Sequence, residues 1–109
     1  MQYWREDIEY NIYISIEAKA MLSKHINFLN RVSINSSTKL KKNIKEYLII
    51  LKHYPYIGKK LNSDNSQLQI IYRKLVINRI YNLVYCVIDN NIYIEAILDS
   101  RQNNNYYLI

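Results

Sequence analysis

The stretch Tyr72–Tyr107, YRKLVINRIYNLVYCVIDNNIYIEAILDSRQNNNYY, holds three runs of strand-forming residues and then a polar tail. Ile70–Ile77 carries Arg73 and Lys74 in an apolar context, Tyr81–Ile88 is rich in β-branched and aromatic residues, and Ile92–Leu98 is the third run. Such side chains fit a pleated, half-buried surface, so the three runs predict three consecutive strands. Asp89-Asn90-Asn91 joins the second to the third, and short polar side chains tolerate the left-handed backbone that a tight hairpin requires. The pattern stops at Asp99-Ser100-Arg101-Gln102, so residues 99–109 read as a polar C-terminal tail.

Upstream, Ile8, Tyr10, Ile12 and Ile14 alternate with Glu9, Asn11 and Tyr13, which predicts a half-buried strand over residues 8–14. Residues 1–7 (MQYWRED) show no period and read as an extension whose Trp4 docks on the body. Ser15 offers a helix N-cap and Glu17 puts negative charge in the first turn, where the helix dipole favours it. The helix runs to about Val32, with Ala18, Leu22, Ile26 and Leu29 as its buried stripe and His25 beside it as a solvent-edge or satisfied histidine rather than a catalytic one. Ser33–Thr38 forms the connection, with Ser36 or Ser37 as the next N-cap, and a second helix reaches about Lys52 with Leu40, Ile44, Leu48 and Leu51 inward. Lys39, Lys42, Lys45 and Lys52 share its other face, which is either a solvated helix face or a surface for phosphates. Pro55 ends that helix, and residues 62–67 (NSDNSQ) are a polar loop.

These elements predict an α+β domain over residues 1–109: an N-terminal strand, a two-helix hairpin and a three-stranded antiparallel meander. They would form one four-stranded sheet with the helices on one face. A chain of 109 residues buries roughly two thirds of its unfolded surface in a single core, which leaves no room for a second domain. The formal net charge of +6 favours a polyanionic partner, whether nucleic acid, ribosome or an acidic protein. Cys86 is the only cysteine and lies mid-strand, where it reads as a small hydrophobe; cysteine metal clusters and internal disulfides are excluded. Gly-rich phosphate loops, Cys/His metal spacings and nucleophile elbows are absent, so no cofactor and no metal are expected. No apolar run approaches the ~20 residues of a membrane span, and a cytoplasmic protein without a membrane partner is expected.

The combination Tyr72-Arg73-Lys74-Leu75, Tyr81 to Tyr85, Val87 to Asp89 and a last apolar strand entering an Arg-containing tail resembles the RelE/ParE superfamily. These are the toxins of bacterial type II toxin–antitoxin systems. The Pro55-x-x-Gly58 turn after the second helix is similar to the superfamily's as well. The resemblance implies a cognate acidic antitoxin laid over a basic groove. Its RelE branch implies ribosome-dependent cleavage of mRNA without metal, in which the ribose 2′-hydroxyl attacks the adjacent phosphate and cations stabilise the charged transition state.

Carried over residue by residue, that branch's tail arginine falls on Arg101 and its terminal catalytic tyrosine on Tyr107. The basic residue of its first central strand falls on Arg73, with Lys74 as the alternative; Arg73, inside an apolar strand, has to point to solvent or to a site. Asn82 stands where the branch has an arginine, and Arg79 is the substitute within reach. Lys74, Arg79, Lys42 and Lys45 are then the RNA- or phosphate-binding residues. The ParE branch keeps the scaffold but poisons DNA gyrase, and Leu98-Asp99-Ser100-Arg101 resembles its Leu-Asp-Gly-Arg ending equally well. The sequence expectation is thus an mRNA endoribonuclease toxin, with gyrase inhibition, or antitoxin binding alone, as the alternative.

Overall fold

Asn11–Ile14 (β1), Ile16–Val32 (α1), Ile34–His53 (α2), Lys59–Lys60 (β2), Tyr72–Ile77 (β3), Tyr81–Ile88 (β4) and Asn91–Asp99 (β5) follow one another along the chain in a computed structural model that describes residues 9–61 and 70–102. The extension at 1–7 with Trp4, Ile8, the loop at 62–67 and the tail beyond Gln102, Tyr107 included, lie outside the described residues.

The sheet has five strands in the order β1-β5-β4-β3-β2, where four were expected. The extra strand is Lys59–Lys60, which pairs antiparallel with β3 through Lys59↔Lys74 and Lys60↔Arg73. Two adjacent lysines show no alternation, so no periodicity could announce it. β3, β4 and β5 form the expected meander, turned at Asp89, which adopts the left-handed φ of 55°. β1 lies parallel to β5, in the register Asn11↔Asn91 to Ile14↔Ile94. It begins at Asn11 and β3 begins at Tyr72, so the exposed Ile70 and Ile71 precede the strand.

The core lies between the helix pair and one sheet face. Ala18, Leu40, Ile44 and Leu51 meet Ile77, Leu83, Tyr85, Ile92, Ile94 and Ile97, all at most 5 % exposed. Leu22, Ile26, Leu29 and Leu48 pack around them, as their spacing predicted. A register shift between Val84 and Tyr85 leaves Glu95 as an extra residue in β5. Such a bulge reverses the alternation, which is why Ile97 and Asp99 face the same side as Ile92 and Ile94.

Ser15 caps α1 as expected, its Oγ accepting the Ala18 N–H at 2.9 Å. The second cap falls earlier than Ser36 or Ser37. Ser33 is extended (φ −162°, ψ 113°), its N–H donates to Leu29 O at 2.6 Å, and its Oγ accepts the Ser36 N–H at 3.2 Å. One residue therefore closes α1 and opens α2, and the Ser/Asn run that reads as a loop is the first turn of a helix.

β1 ends at Ile14, so the last half of β5 would have bare edge carbonyls. α1 covers them: the Ser15 hydroxyl donates to Glu95 O at 3.2 Å and His25 Nε2–H to Ile97 O at 2.7 Å, with the imidazole 4.9 Å from the Tyr81 ring. His25 is the satisfied histidine its position predicted. Replacing it with Ala should remove one partly buried hydrogen bond and some ring packing, lowering stability by about 1 kcal/mol. A drop in the urea midpoint with an unchanged slope is the expected readout, and an unchanged midpoint would mean that solvent serves Ile97 equally well.

Candidate functional site

Strand phase decides where the candidate cations point. Leu75 and Ile77 turn toward the helices, and Arg73 follows them, opposite the fully buried Tyr85. Arg73 is half-buried, and its side chain reaches back to the segment after α2. Its Nη1 donates to Tyr56 O at 3.1 Å and Gly58 O at 2.8 Å, and its guanidinium lies 5.1 Å from the Tyr56 ring centroid. Three contacts to the segment after α2 make Arg73 a clamp on that segment.

Tyr85 completes the clamp. Its hydroxyl donates to Pro55 O and accepts the Gly58 N–H, each at 2.8 Å. The glycine is required here by close approach: a Cβ on Gly58 would stand 2.7 Å from the Tyr85 oxygen and 3.0 Å from Lys74 O. The Pro-x-x-Gly turn is thus fitted to a phenol from β4.

Lys74 points the other way, with Val84 as its cross-strand partner and Lys59 opposite it on β2. Two lysines directly opposed repel each other, a cost that a bound anion would remove. This face also carries Tyr13 stacked on Tyr93 at 5.4 Å. Asn82 looks out on it as well, opposite Val76 and Leu98, and is buried. Lys59 escaped the sequence reading because its strand did.

Arg101 follows the end of β5. Asp99 Oδ1 accepts the Arg101 backbone N–H at 2.9 Å and its Nε–H at 3.0 Å, while Oδ2 accepts from Nη2 at 2.7 Å. Those side-chain hydrogen bonds hold the Asp99 carboxyl below the ordinary carboxylate range, against the opposing effect of its burial, and they raise Arg101 in turn. Asp99 and Arg101 thus form an ion pair at the end of β5, with the carboxylate buried and the guanidinium exposed.

Arg79 sits in the turn between β3 and β4, where Asn78 and Arg79 both have left-handed backbone, φ 55° and 62°. Asn43 Nδ2 donates to Asn78 Oδ1 at 2.5 Å and ties this turn to α2. Two clefts open beside it. One, of about 440 Å³, is lined by Lys39, Arg79 and Arg101 along with Asn78 and Tyr81. The other, of about 780 Å³, shares Tyr81 and Arg101 and adds Lys24 and Arg31 of α1, with Asp99 as its carboxylate. Lys42 and Lys45 stand exposed on α2 and line neither cleft.

The two arginines of the expected catalytic set are therefore apart. Arg73 is level with Tyr85 and Asp99 with Tyr81, which separates their anchoring positions by roughly 13 Å along β4 and roughly 10 Å across two strands. Lys74 is on the opposite face from Arg73, and Tyr107 lies outside the described residues.

A helix hairpin covering one face of a sheet whose first strand runs parallel beside its last defines an α+β fold of RelE/ParE type. The chain is similar to a solved structure described as the chromosomal ParDE TA system from P. aeruginosa, with a TM-score of 0.63 and 19 % identity over 84 % of this chain and 96 % of that one. At that identity the likeness is one of fold. No family model matches the chain, and no curated protein does. Among the described residues no helix is long and apolar enough to cross a membrane.

Proposed function

We propose that this chain is the toxin of a toxin–antitoxin pair, and that it acts by binding and holding its target, as the ParE branch does, rather than by cutting RNA. The shared fold with a ParDE structure supports the toxin reading. The binding mode is supported by one observation above the others: Arg73 Nη1 is bonded to the Tyr56 and Gly58 carbonyls and Arg101 to Asp99, so the two guanidinium groups are anchored apart and do not converge on one charge. Transition-state stabilisation requires preorganised cations aimed at one developing charge, and losing a single such donor costs about 10²–10³ in rate. Asn82, in place of the branch arginine, removes a third cation from the same task.

The partner that neutralises the toxin would be acidic, matching the net charge of +6. The target on this reading is DNA gyrase. Ribosome-dependent mRNA cleavage is the second reading, favoured by Lys74 beside Lys59 on the sheet face away from the main core.

A pulse of expression in a growing bacterium tests the choice by following DNA and protein synthesis separately. DNA synthesis should stop first, and extracted mRNA should stay full-length. Prompt loss of translation with cleaved mRNA, abolished by Lys74→Ala, would transfer the chain to the ribonuclease reading. Continued growth would remove the toxin reading altogether.

A further inference from the structure

The two clefts around Arg101 are not used by the proposed mechanism, and their charge is one-sided. Lys24 and Arg31 come from α1, Lys39 from α2, Arg79 from the β3–β4 turn and Arg101 from the end of β5. Asp99 is the one carboxylate lining them among the described residues, and it is bonded to Arg101. Five cations delivered by four separate segments to one end of the molecule repel one another, and Asp99 alone opposes them among the described lining residues.

Arg79 adds an independent signal. Left-handed backbone suits Asn78 and Asp89, whose side-chain types tolerate it, but it strains an arginine, and glycine would sit there without cost. Strained residues of this kind persist where the surrounding structure holds them, and they cluster at ligand-binding sites. The Asn43–Asn78 hydrogen bond fixes the strained turn against α2, so that Arg79 projects beside Lys39 along the same cleft.

We infer that the two clefts form one continuous track for the phosphates of a nucleic-acid backbone, with Arg101 at the junction. Cations strung over two adjoining open clefts suit an extended polyanion, whereas a single phosphate group or a carboxylate ligand would call for convergent donors. No base-reading residue is implied, so binding should be independent of sequence and governed by counterion release. The inference does not depend on the toxin reading.

The test is fluorescence anisotropy of the purified full-length chain with a short labelled DNA duplex, repeated over a range of salt concentrations. With four to five phosphates neutralised, the log–log slope should be about −4, at about −0.9 per phosphate. Arg79→Gly and Lys39→Gln should each reduce the slope by about 1 and weaken binding several-fold at low salt. Arg79→Gly relieves backbone strain, so a folding defect cannot account for its loss. Lys19→Gln, exposed on α1 and lining neither cleft, should change neither quantity.

A single-stranded RNA arm identifies the source of the phosphates. Tighter RNA binding with the same sensitivity to Arg79→Gly would assign the track to RNA, and tighter duplex binding to DNA. Absence of binding, a slope untouched by the two variants, or displacement of the duplex by polyglutamate at equal charge would overturn the inference. Growth arrest is a separate readout. A chain that binds nucleic acid but leaves growth intact retains the track and loses the toxin reading, and the converse result does the opposite.

Discussion

Tyr85→Phe should destabilise the protein by about 2–4 kcal/mol although it deletes a single oxygen atom. The phenol is fully buried, and its oxygen serves both the Pro55 carbonyl and the Gly58 N–H. A buried polar group left without a partner costs about 1–3 kcal/mol, and the substitution strands two of them. Water cannot easily replace the oxygen, because the ring edge and the glycine backbone are already in close approach. The effect should reach beyond the site. Arg73 holds the same segment through the Tyr56 and Gly58 carbonyls, so loosening it disturbs the β2–β3 edge as well. Equilibrium urea denaturation is the check, and a change below about 0.5 kcal/mol would show that the segment is held by Arg73 alone.

The same oxygen has a signature in pH. Burial pushes the Tyr85 phenol up from its ordinary value, with smaller opposing effects from Gly58 and Arg73. The unfolded chain ionises near pH 10 while the folded chain keeps its proton, so folding stability is intact below that pH and falls above it. Tyr81 and Tyr10 are raised for the same first cause, so Tyr85→Phe should blunt the alkaline loss without abolishing it.

The reach of the sequence is visible in these particulars. The helices, the meander and the Ser15 cap follow from local rules, 3.6-residue and 2-residue periodicity and capping chemistry, and each is where those rules put it. Ser33 was missed because Ser and Asn serve both a loop and a helix start, and only the hydrogen bonds of a single extended residue decide between them. The bulge at Glu95 leaves no local mark, yet it aligns Ile97 and Asp99 with the core. Arg73 was legible as an oddity but not as a clamp. In Tyr72–Ile77 both strand phases contain apolar residues, so alternation cannot name the inward face, and the carbonyls that Arg73 binds belong to a segment 15 to 17 positions earlier. The clefts gather basic residues from four segments, a juxtaposition that exists only after folding.

Asp99→Asn should lower stability by about 1–2 kcal/mol at neutral pH and by nothing in strong acid. Asp99 is buried, and its carboxylate receives three N–H groups of Arg101; hydrogen bonds to a charged group contribute about 1.5–3 kcal/mol, and the exposure of the guanidinium takes the expectation to the lower end. The sign follows from the lowered carboxyl. The folded state keeps the charge where the unfolded chain has begun to take up a proton, so the contribution is complete above the ordinary carboxylate range and disappears as pH falls through the lowered value. Wild type and variant should therefore differ at pH 7 and converge in acid; a gap that persisted at low pH would mean that Asp99 acts through packing and not through charge. The variant also separates two roles of Arg101. If the guanidinium is held only for the sake of the β5 end, freeing it lowers stability and changes nothing else. If it stands at the junction of a phosphate track, Asp99 competes with the phosphates for it, and Asp99→Asn should bind the nucleic-acid probe more tightly while folding less stably.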